Sequence, residues 1–283
     1  MALPFVKMHG LGNDFLVVDR RSVHAPVPVA DVVALCDRHL GVGGDGVLSI
    51  LDSPRAPLAM HVTNNDGSIA EMCGNGLRCV VRYAVDAGLL PPSGGPVDTG
   101  RGVLDCRVEA NGEVTVDMGA PLLEPERVPV KLPGSRAIAV PVDVGGTRLT
   151  LSAVSMGNPH AIVFLDAGEV PMEAALRWGP TLERHELFPH RTNAEFARMR
   201  SATEIDLVVW ERGAGLTQAC GTGACATVVA AVLTGRSQAG ERVRVALPGG
   251  VLTVRVEPDF SRVWMTGPAV EVFRGAATLG GDG

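Results

Sequence analysis

Lysine is almost missing from this chain: Lys7 and Lys131 are the only two, against 23 arginines, in 283 residues. Seven asparagines, two glutamines and 11 aromatic residues make amides and rings scarce too, and the net charge is −6. An acidic chain so short of lysine and aromatic residues lacks the basic footprint and stacking platforms of a nucleic-acid binder. No apolar run approaches the ~18 residues that a membrane-crossing helix needs, so no membrane partner is expected. The N-terminal stretch Met1-Ala2-Leu3-Pro4-Phe5-Val6-Lys7 has no charged segment followed by an apolar one. It does not read as a signal peptide, and the expected location is cytoplasmic. Cysteines stand at 36, 73, 79, 106, 220 and 225, with no C-x-x-C pair and no zinc-like His/Cys spacing. They read as free thiols, and no metal site is expected.

What the chain does have is a repeat. Gly102-Val103-Leu104-Asp105-Cys106-Arg107-Val108-Glu109 returns as Gly250-Val251-Leu252-Thr253-Val254-Arg255-Val256-Glu257, with six of eight residues identical, 148 positions later. Phe15–Asp19 matches Ile162–Asp166, Cys73-Gly74-Asn75-Gly76 matches Cys220-Gly221-Thr222-Gly223, and Val116–Met118 matches Val263–Met265, all at an offset of 147. A period that long means two copies of one globular unit, not a solenoid. Residues 1–119 read as the first lobe and 120–265 as the second. Pro121, Pro125, Pro129 and Pro133 mark an extended connection between them.

Each half opens with β-branched stretches that read as strands. Val29–Arg38 and Met172–Trp178 read as short helices. A clearer helix follows each Cys-Gly-x-Gly. The first has an apolar face of Leu77, Val80, Val81, Ala84 and Val85 and a polar stripe of Arg78, Arg82 and Asp86. The second is uncharged from Thr222 to Leu233 and reads as buried on all sides. The fold class is α+β: two pseudo-symmetric domains, each a curved sheet or barrel around a central helix. Gly41–Gly46 formally fits G-x-G-x-x-G but lies between a helix and a strand, the reverse of the dinucleotide-binding order, and reads as a loop.

Cys73 and Cys220 each sit just ahead of a helix, where unsatisfied N–H groups and a partial positive charge favour a thiolate. The glycines beside them allow close approach of a carboxylate. Free cysteines are usually small buried hydrophobes, and Cys36, Cys79, Cys106 and Cys225 are read that way. The matched placement of Cys73 and Cys220 favours chemistry. Inverting a carbon that bears hydrogen needs a base on one face and an acid on the other, which two symmetry-related thiols provide. A pyridoxal route needs a Schiff-base lysine; Lys131 lies in the proline-rich connector and Lys7 has no phosphate-binding motif beside it, so no cofactor is expected.

Asn13, Asn64, Asn65, Asn75, Asn158 and Asn193 all lie in or beside these turn-like motifs. Any one of them is readily a turn residue; together they suit the lining of a site for a small polar ligand. His160, in Ser155-Met156-Gly157-Asn158-Pro159-His160, is a candidate for tuning a thiol. His24, His39, His61, His185 and His190 have no motif, and His9 stays undecided. Glu211-Arg212 reads either as a solvated pair or as a reader of substrate charge. Its place opposite Asn64 in the repeat favours the second.

At these residues the sequence resembles the diaminopimelate epimerases over essentially its whole length. The resemblance rests on Met8–Phe15, Asn65–Ser68 through Cys73–Cys79, Ser155–His160, and Glu211–Gly215 through Cys220–Cys225. It implies a pyridoxal-independent epimerase interconverting LL- and meso-diaminopimelate for lysine and cell-wall precursor synthesis. Cys73 and Cys220 would be its acid/base catalysts, with His160 and Glu211 adjusting their ionisation. Gly74-Asn75 and Gly221-Thr222 would hold the reacting carboxylate, and Asn13, Asn64, Asn158, Asn193 and Arg212 the remainder. It also implies lobes that close over substrate, a C-terminal segment 266–283 returning to the first lobe, and a homodimer. Two positions depart from the family pattern: Gly46 stands where many members have glutamine, and Phe273 where some have a dimer-associated tyrosine. The rival readings are a proline or hydroxyproline racemase-type enzyme, for which histidine would be expected in place of Asn75, and a non-catalytic amino-acid-binding protein, which would need no second thiol.

Overall fold

The computed structural model describes residues 2–279; the last four positions of the expected returning segment lie outside the described residues. The chain divides into two compact units, cut between Val116 and Asp117 and between Met265 and Thr266. Each is a mixed sheet built on one plan.

In the first unit the strands run in the order Val270–Thr278, Ala2–Gly10, Asn13–Asp19, Gly46–Leu51, Ala59–Asn64, Val97–Thr99, Gly102–Leu104. Successive pairings are antiparallel, antiparallel, parallel, antiparallel, parallel, antiparallel. In the second the first seven strands run in the order Val140–Val144, Thr147–Ser155, Pro159–Phe164, Asn193–Ser201, Glu204–Glu211, Val243–Leu247, Gly250–Val256, and the sheet continues with Val263–Gly267. The pairings among those seven strands repeat the same sequence of directions. Parallel neighbours cannot be joined by a hairpin and need a crossover. The four helices are those crossovers: α1 (Val29–Cys36) and α2 (Gly74–Asp86) in the first unit, α3 (Pro171–Glu183) and α4 (Gly221–Leu233) in the second. The C-terminal strand Val270–Thr278 fills the place in the first sheet that Val140–Val144 fills in the second.

Side-chain chemistry explains most of the elements. α1 buries Val32 and Leu35 and leaves Val33 exposed. It ends at Cys36, and the Gly41–Gly46 segment that follows is a loop leading into strand Gly46–Leu51. α3 starts with Pro171 at its first position, where a missing N–H costs nothing, and runs beyond the expected Trp178 through Pro180 to Glu183. α4 is buried from Gly221 to Ala231 except at Thr222 and packs against several strands of its own sheet. Truncating an aliphatic side chain in such a core costs about 2–5 kcal/mol. The duplicated Gly-Val-Leu stretch is one strand in the second unit but is split at Asp105 in the first, where aspartate replaces the strand-favouring Thr253.

Two expectations need correction. Arg78 is not on a solvated stripe: it is wholly buried, donating from Nε to Pro268 O at 3.1 Å and from Nη2 to Asn75 Oδ1 at 3.0 Å. Only Arg82 and Asp86 form the surface pair expected of that stripe. The proline-rich segment is not simply extended. Turns closed by Arg127 N and Val128 N on Glu124 O fold it back, and Val128 and Val130 enter the second unit's core. Among the described residues no helix is long and apolar enough to cross a membrane.

A polar clamp ties the N-terminal strands of the first unit together. Buried Lys7 reaches Gly43 O and pairs with Asp14 at 2.5 Å, while Arg38 Nη2 donates to Asp14 Oδ1 at 2.6 Å. Burial pushes the Asp14 carboxyl up, but the hydrogen bonds and charges of Arg38 and Lys7 outweigh it and hold the pKa at about 2. A depressed carboxylate contributes stability above its unfolded value of 3.8 that is lost as pH falls toward 2. Asp14→Asn is therefore less stable than the parent at pH 7, and the gap closes between about pH 4 and 2. Urea unfolding across that range checks this; a gap that stays constant contradicts it.

Candidate active site

The two Cys-Gly-x-Gly segments fold alike. Cys73 and Cys220 are both N-cap residues in extended backbone, and each sulfur accepts the N–H three residues on, Gly76 N and Gly223 N, at 3.4 Å. The sulfur replaces the oxygen of the usual Ser or Asp cap. Glycine is needed at the donor position for space: a Cβ on Gly76 would meet Leu48 at 2.9 Å, and one on Gly223 would meet Glu195 Oε1 at 2.9 Å and Cys220 Sγ at 3.2 Å. Gly74-Asn75 and Gly221-Thr222 form the first turns, where N–H groups have no partner within the helix.

Around Cys73 the partners are amides. Asn13 Oδ1 lies 3.7 Å from Cys73 Sγ and accepts from Asn75 Nδ2 at 3.2 Å, and Arg78 holds the other end of the Asn75 amide. Asn13 Nδ2 in turn donates to Asp45 Oδ2 at 2.7 Å, and Arg38 Nη2 donates to Asp45 Oδ1 at 2.9 Å. Asn64 stands opposite Gly46 in the strand ladder, its amide donating to Ser68 Oγ at 2.9 Å. A Cβ at Gly46 would come within 2.6 Å of Thr63 O, so this backbone has no room for glutamine there.

Around Cys220 the hydrogen-bond partners are Thr222 and Gly223 N, and the charges that bear on the sulfur are those of acids. Thr222 Oγ1 is 3.5 Å from the sulfur, and Glu211 Oε1 accepts from Thr217 Oγ1 at 2.5 Å. His160 is fully buried, with Nδ1 2.6 Å from Glu195 Oε1 and Nε2 3.0 Å from Asn158 Oδ1. Asn193 donates to Pro159 O at 3.1 Å and accepts from Arg212 N at 2.9 Å. The Arg212 guanidinium donates to His190 O at 3.2 Å. Buried Glu183 braces this turn by accepting from Trp210 Nε1 and Gly213 N. Cys220 is only 5% exposed. Its burial, then the charges of Glu211 and Glu195, push the thiol well above its ordinary range, against the opposing hydrogen bonds of Thr222 and Gly223. The thiolate expected from the helix terminus is thus reversed here: desolvation and two carboxylates outweigh a partial dipole charge.

The residues picked from sequence therefore fall into two clusters, one per unit. Asn13, Cys73, Gly74 and Asn75 are linked in the first, with Asn64 on an adjacent strand. Asn158, His160, Asn193, Glu211, Arg212, Cys220, Gly221 and Thr222 gather in the second. Sequence reasoning missed Asp45, Glu183, Thr217 and Glu195. Glu195 was within reach, because side chains two apart on a strand share a face and Asn193 was already placed. Among the described residues no group of three or more His, Cys, Asp or Glu side chains could hold a metal ion.

Solved structures of like fold include a phenazine biosynthesis protein of the PhzF family from Bacillus anthracis, with a TM-score of 0.70 over 99% of this chain and 100% of that one at 16% identity. A probable proline racemase from Agrobacterium radiobacter gives a TM-score of 0.69 over 99% and 93% at 15% identity. At such identities they show the fold alone. Sequence relatives are far nearer. The diaminopimelate epimerase of Desulfitobacterium hafniense is 46% identical over 96% of this chain and 97% of its own. Those of a Synechococcus and a Synechocystis strain are 48% and 44% identical, covering 96% and 99% of this chain and 97% and 100% of their own. The diaminopimelate epimerase family model matches residues 5–123 and 152–272, the stretches that hold both cysteine caps and the residues around them; the chain belongs to the diaminopimelate epimerase family.

Proposed function

We propose that this chain interconverts LL- and meso-diaminopimelate without pyridoxal phosphate, with Cys73 and Cys220 as the acid/base pair. The observation that carries the reading is the matched pair of thiol caps, each on a helix start that also offers N–H groups to an anion. One thiolate takes the α-proton, the C–H electron pair passes into the adjacent carboxylate, and the other thiol delivers a proton to the opposite face. Gly74-Asn75 and Gly221-Thr222 hold that carboxylate as its charge grows, the kind of preorganised donation whose loss costs about 10²–10³ in rate per donor. Asn13, Asn64, Asn158 and Asn193 bind the polar remainder, and Arg212 reads the distal carboxylate. His160 and Glu211 adjust the ionisation of Cys220. With its pKa raised, Cys220 enters the cycle protonated, as the acid.

The same reading includes a cytoplasmic location, supported by six free cysteines suited to a reducing compartment. It also includes a homodimer. The nine-residue strand Val270–Thr278 is a sheet edge with Val270, Val272 and Phe273 exposed, and such an edge calls for cover.

In deuterated water, LL-diaminopimelate gives meso product with α-deuterium, while L-proline neither racemises nor exchanges. Proline turnover or the absence of any exchange overturns the substrate assignment. Cys73→Ala and Cys220→Ala each lower kcat by about 10²–10⁴-fold; a fully active single variant excludes the two-thiol reaction. Brief iodoacetamide treatment of the unliganded protein at neutral pH, read by peptide mass spectrometry, alkylates Cys73 ahead of Cys220. The reverse order contradicts the assignment of Cys220 as the resting acid.

A further inference from the structure

The most heavily buried acid in the second cluster has no part in the mechanism so far. Glu195 is 0% exposed, its Oε1 is 2.6 Å from His160 Nδ1, and its Oε2 is buried with no hydrogen-bond partner. A carboxylate so buried, with one oxygen unpartnered, is costly, and it points to a neighbouring group that uses its charge or its proton.

Two groups near it meet that description. The first is His160. Asn158 Oδ1, 3.0 Å from Nε2, is an oxygen that accepts only, so Nε2 carries a hydrogen. Nδ1 then faces Glu195 Oε1 across 2.6 Å, a separation that two lone pairs do not tolerate. One bridging proton lies there, and held as imidazolium with carboxylate the pair is neutral overall, as a site closed to water requires, while its negative end is the one that bears on Cys220. The second is Cys220: the point where a Gly223 Cβ would stand is 2.9 Å from Glu195 Oε1 and 3.2 Å from Cys220 Sγ, so the carboxylate and the sulfur flank the same first turn of α4. The titratable groups facing Glu195 are His160, Glu211 and Cys220.

We propose that Glu195 is a positioning residue of this site, fixing His160 with its proton on Nε2 and setting the charge beside Cys220 Sγ so that the thiol stays proton-loaded until substrate binds. The inference rests on the proposed acid/base role of Cys220. Burial raises the Glu195 carboxyl, and the His160 charge and hydrogen bond oppose it, which is consistent with a proton shared between the two.

Glu195→Gln separates this from a merely structural role. Glutamine has the same shape and can still hydrogen-bond Nδ1, but it carries neither the charge nor the shared proton. The pH midpoint for iodoacetamide alkylation of Cys220, followed by peptide mass spectrometry, falls measurably in E195Q, because the negative end of the pair beside the sulfur is lost while the site's net charge stays the same. Its kcat for diaminopimelate falls about tenfold or more, as when other catalytic histidines lose a carboxylate partner. Glu195→Asp keeps the charge and restores the midpoint to within about half a unit. An E195Q protein with an unchanged or raised midpoint, or with undiminished kcat, overturns the proposal. Should E195Q not fold, nitrogen-15 NMR of histidine-labelled wild-type protein decides: a His160 with hydrogen on Nε2, or on both ring nitrogens, at pH 8 agrees, and one with hydrogen on Nδ1 alone overturns it. The alkylation and NMR readings need no turnover, so they stand or fall apart from the epimerase assignment.

Discussion

A cysteine sulfur accepting a backbone N–H at the start of a crossover helix is the contact on which each half of this molecule turns. It occurs at Cys73 with Gly76 and at Cys220 with Gly223, both at 3.4 Å. The contact is weak as a cap, since sulfur is a poorer acceptor than the oxygen of serine or aspartate. What it gains is position. It fixes a thiol at the one end of a helix that favours negative charge, beside first-turn N–H groups that lie outside the helix's own bonding pattern. The sheet plan supplies the helix, because the parallel pair that flanks each motif can be joined only by a crossover. Duplication supplies the second copy.

Identical backbone devices then acquire different chemistry from what surrounds them. Cys73 looks onto Asn13 and Asn75, uncharged amides anchored by Asp45 and buried Arg78. Cys220 looks onto Thr222 with Glu211 and Glu195 nearby, and is driven toward the protonated form. A reaction that moves a proton from one face of a carbon to the other needs such an inequality at the outset, one group ready to give and one ready to take. In the proposed mechanism the symmetry provides the two groups, and the broken symmetry of their neighbours decides which of them holds the proton at rest.

Much of this was legible from residue pattern. The offset of 147 pointed to two copies of one unit, and the copies share an order of pairing directions strand for strand. The uncharged run after Cys220 correctly read as a buried helix. Patterns failed where a local rule met a tertiary neighbour. Arg78 falls on a helical stripe with Arg82 and Asp86, yet the carbonyl of Pro268, far away in sequence, covers it. The prolines at four-residue spacing forbid helix but do not forbid turns, and Val128 and Val130 draw that segment into a core. A helix terminus does favour a thiolate, but the acids that reverse the balance at Cys220 come from strands Asn193–Ser201 and Glu204–Glu211, which only the folded sheet brings beside the sulfur.

The two-thiol reaction has a signature that no single shared base reproduces. In early turnover of LL-diaminopimelate in deuterated water, the product receives its α-hydrogen from a thiol that never held the substrate's own proton. Mass spectrometry of both species before equilibrium should find meso product carrying deuterium and recovered LL substrate still carrying protium. Deuterium appearing equally in recovered substrate and product would contradict the account, because one exchanging base would then be serving both faces.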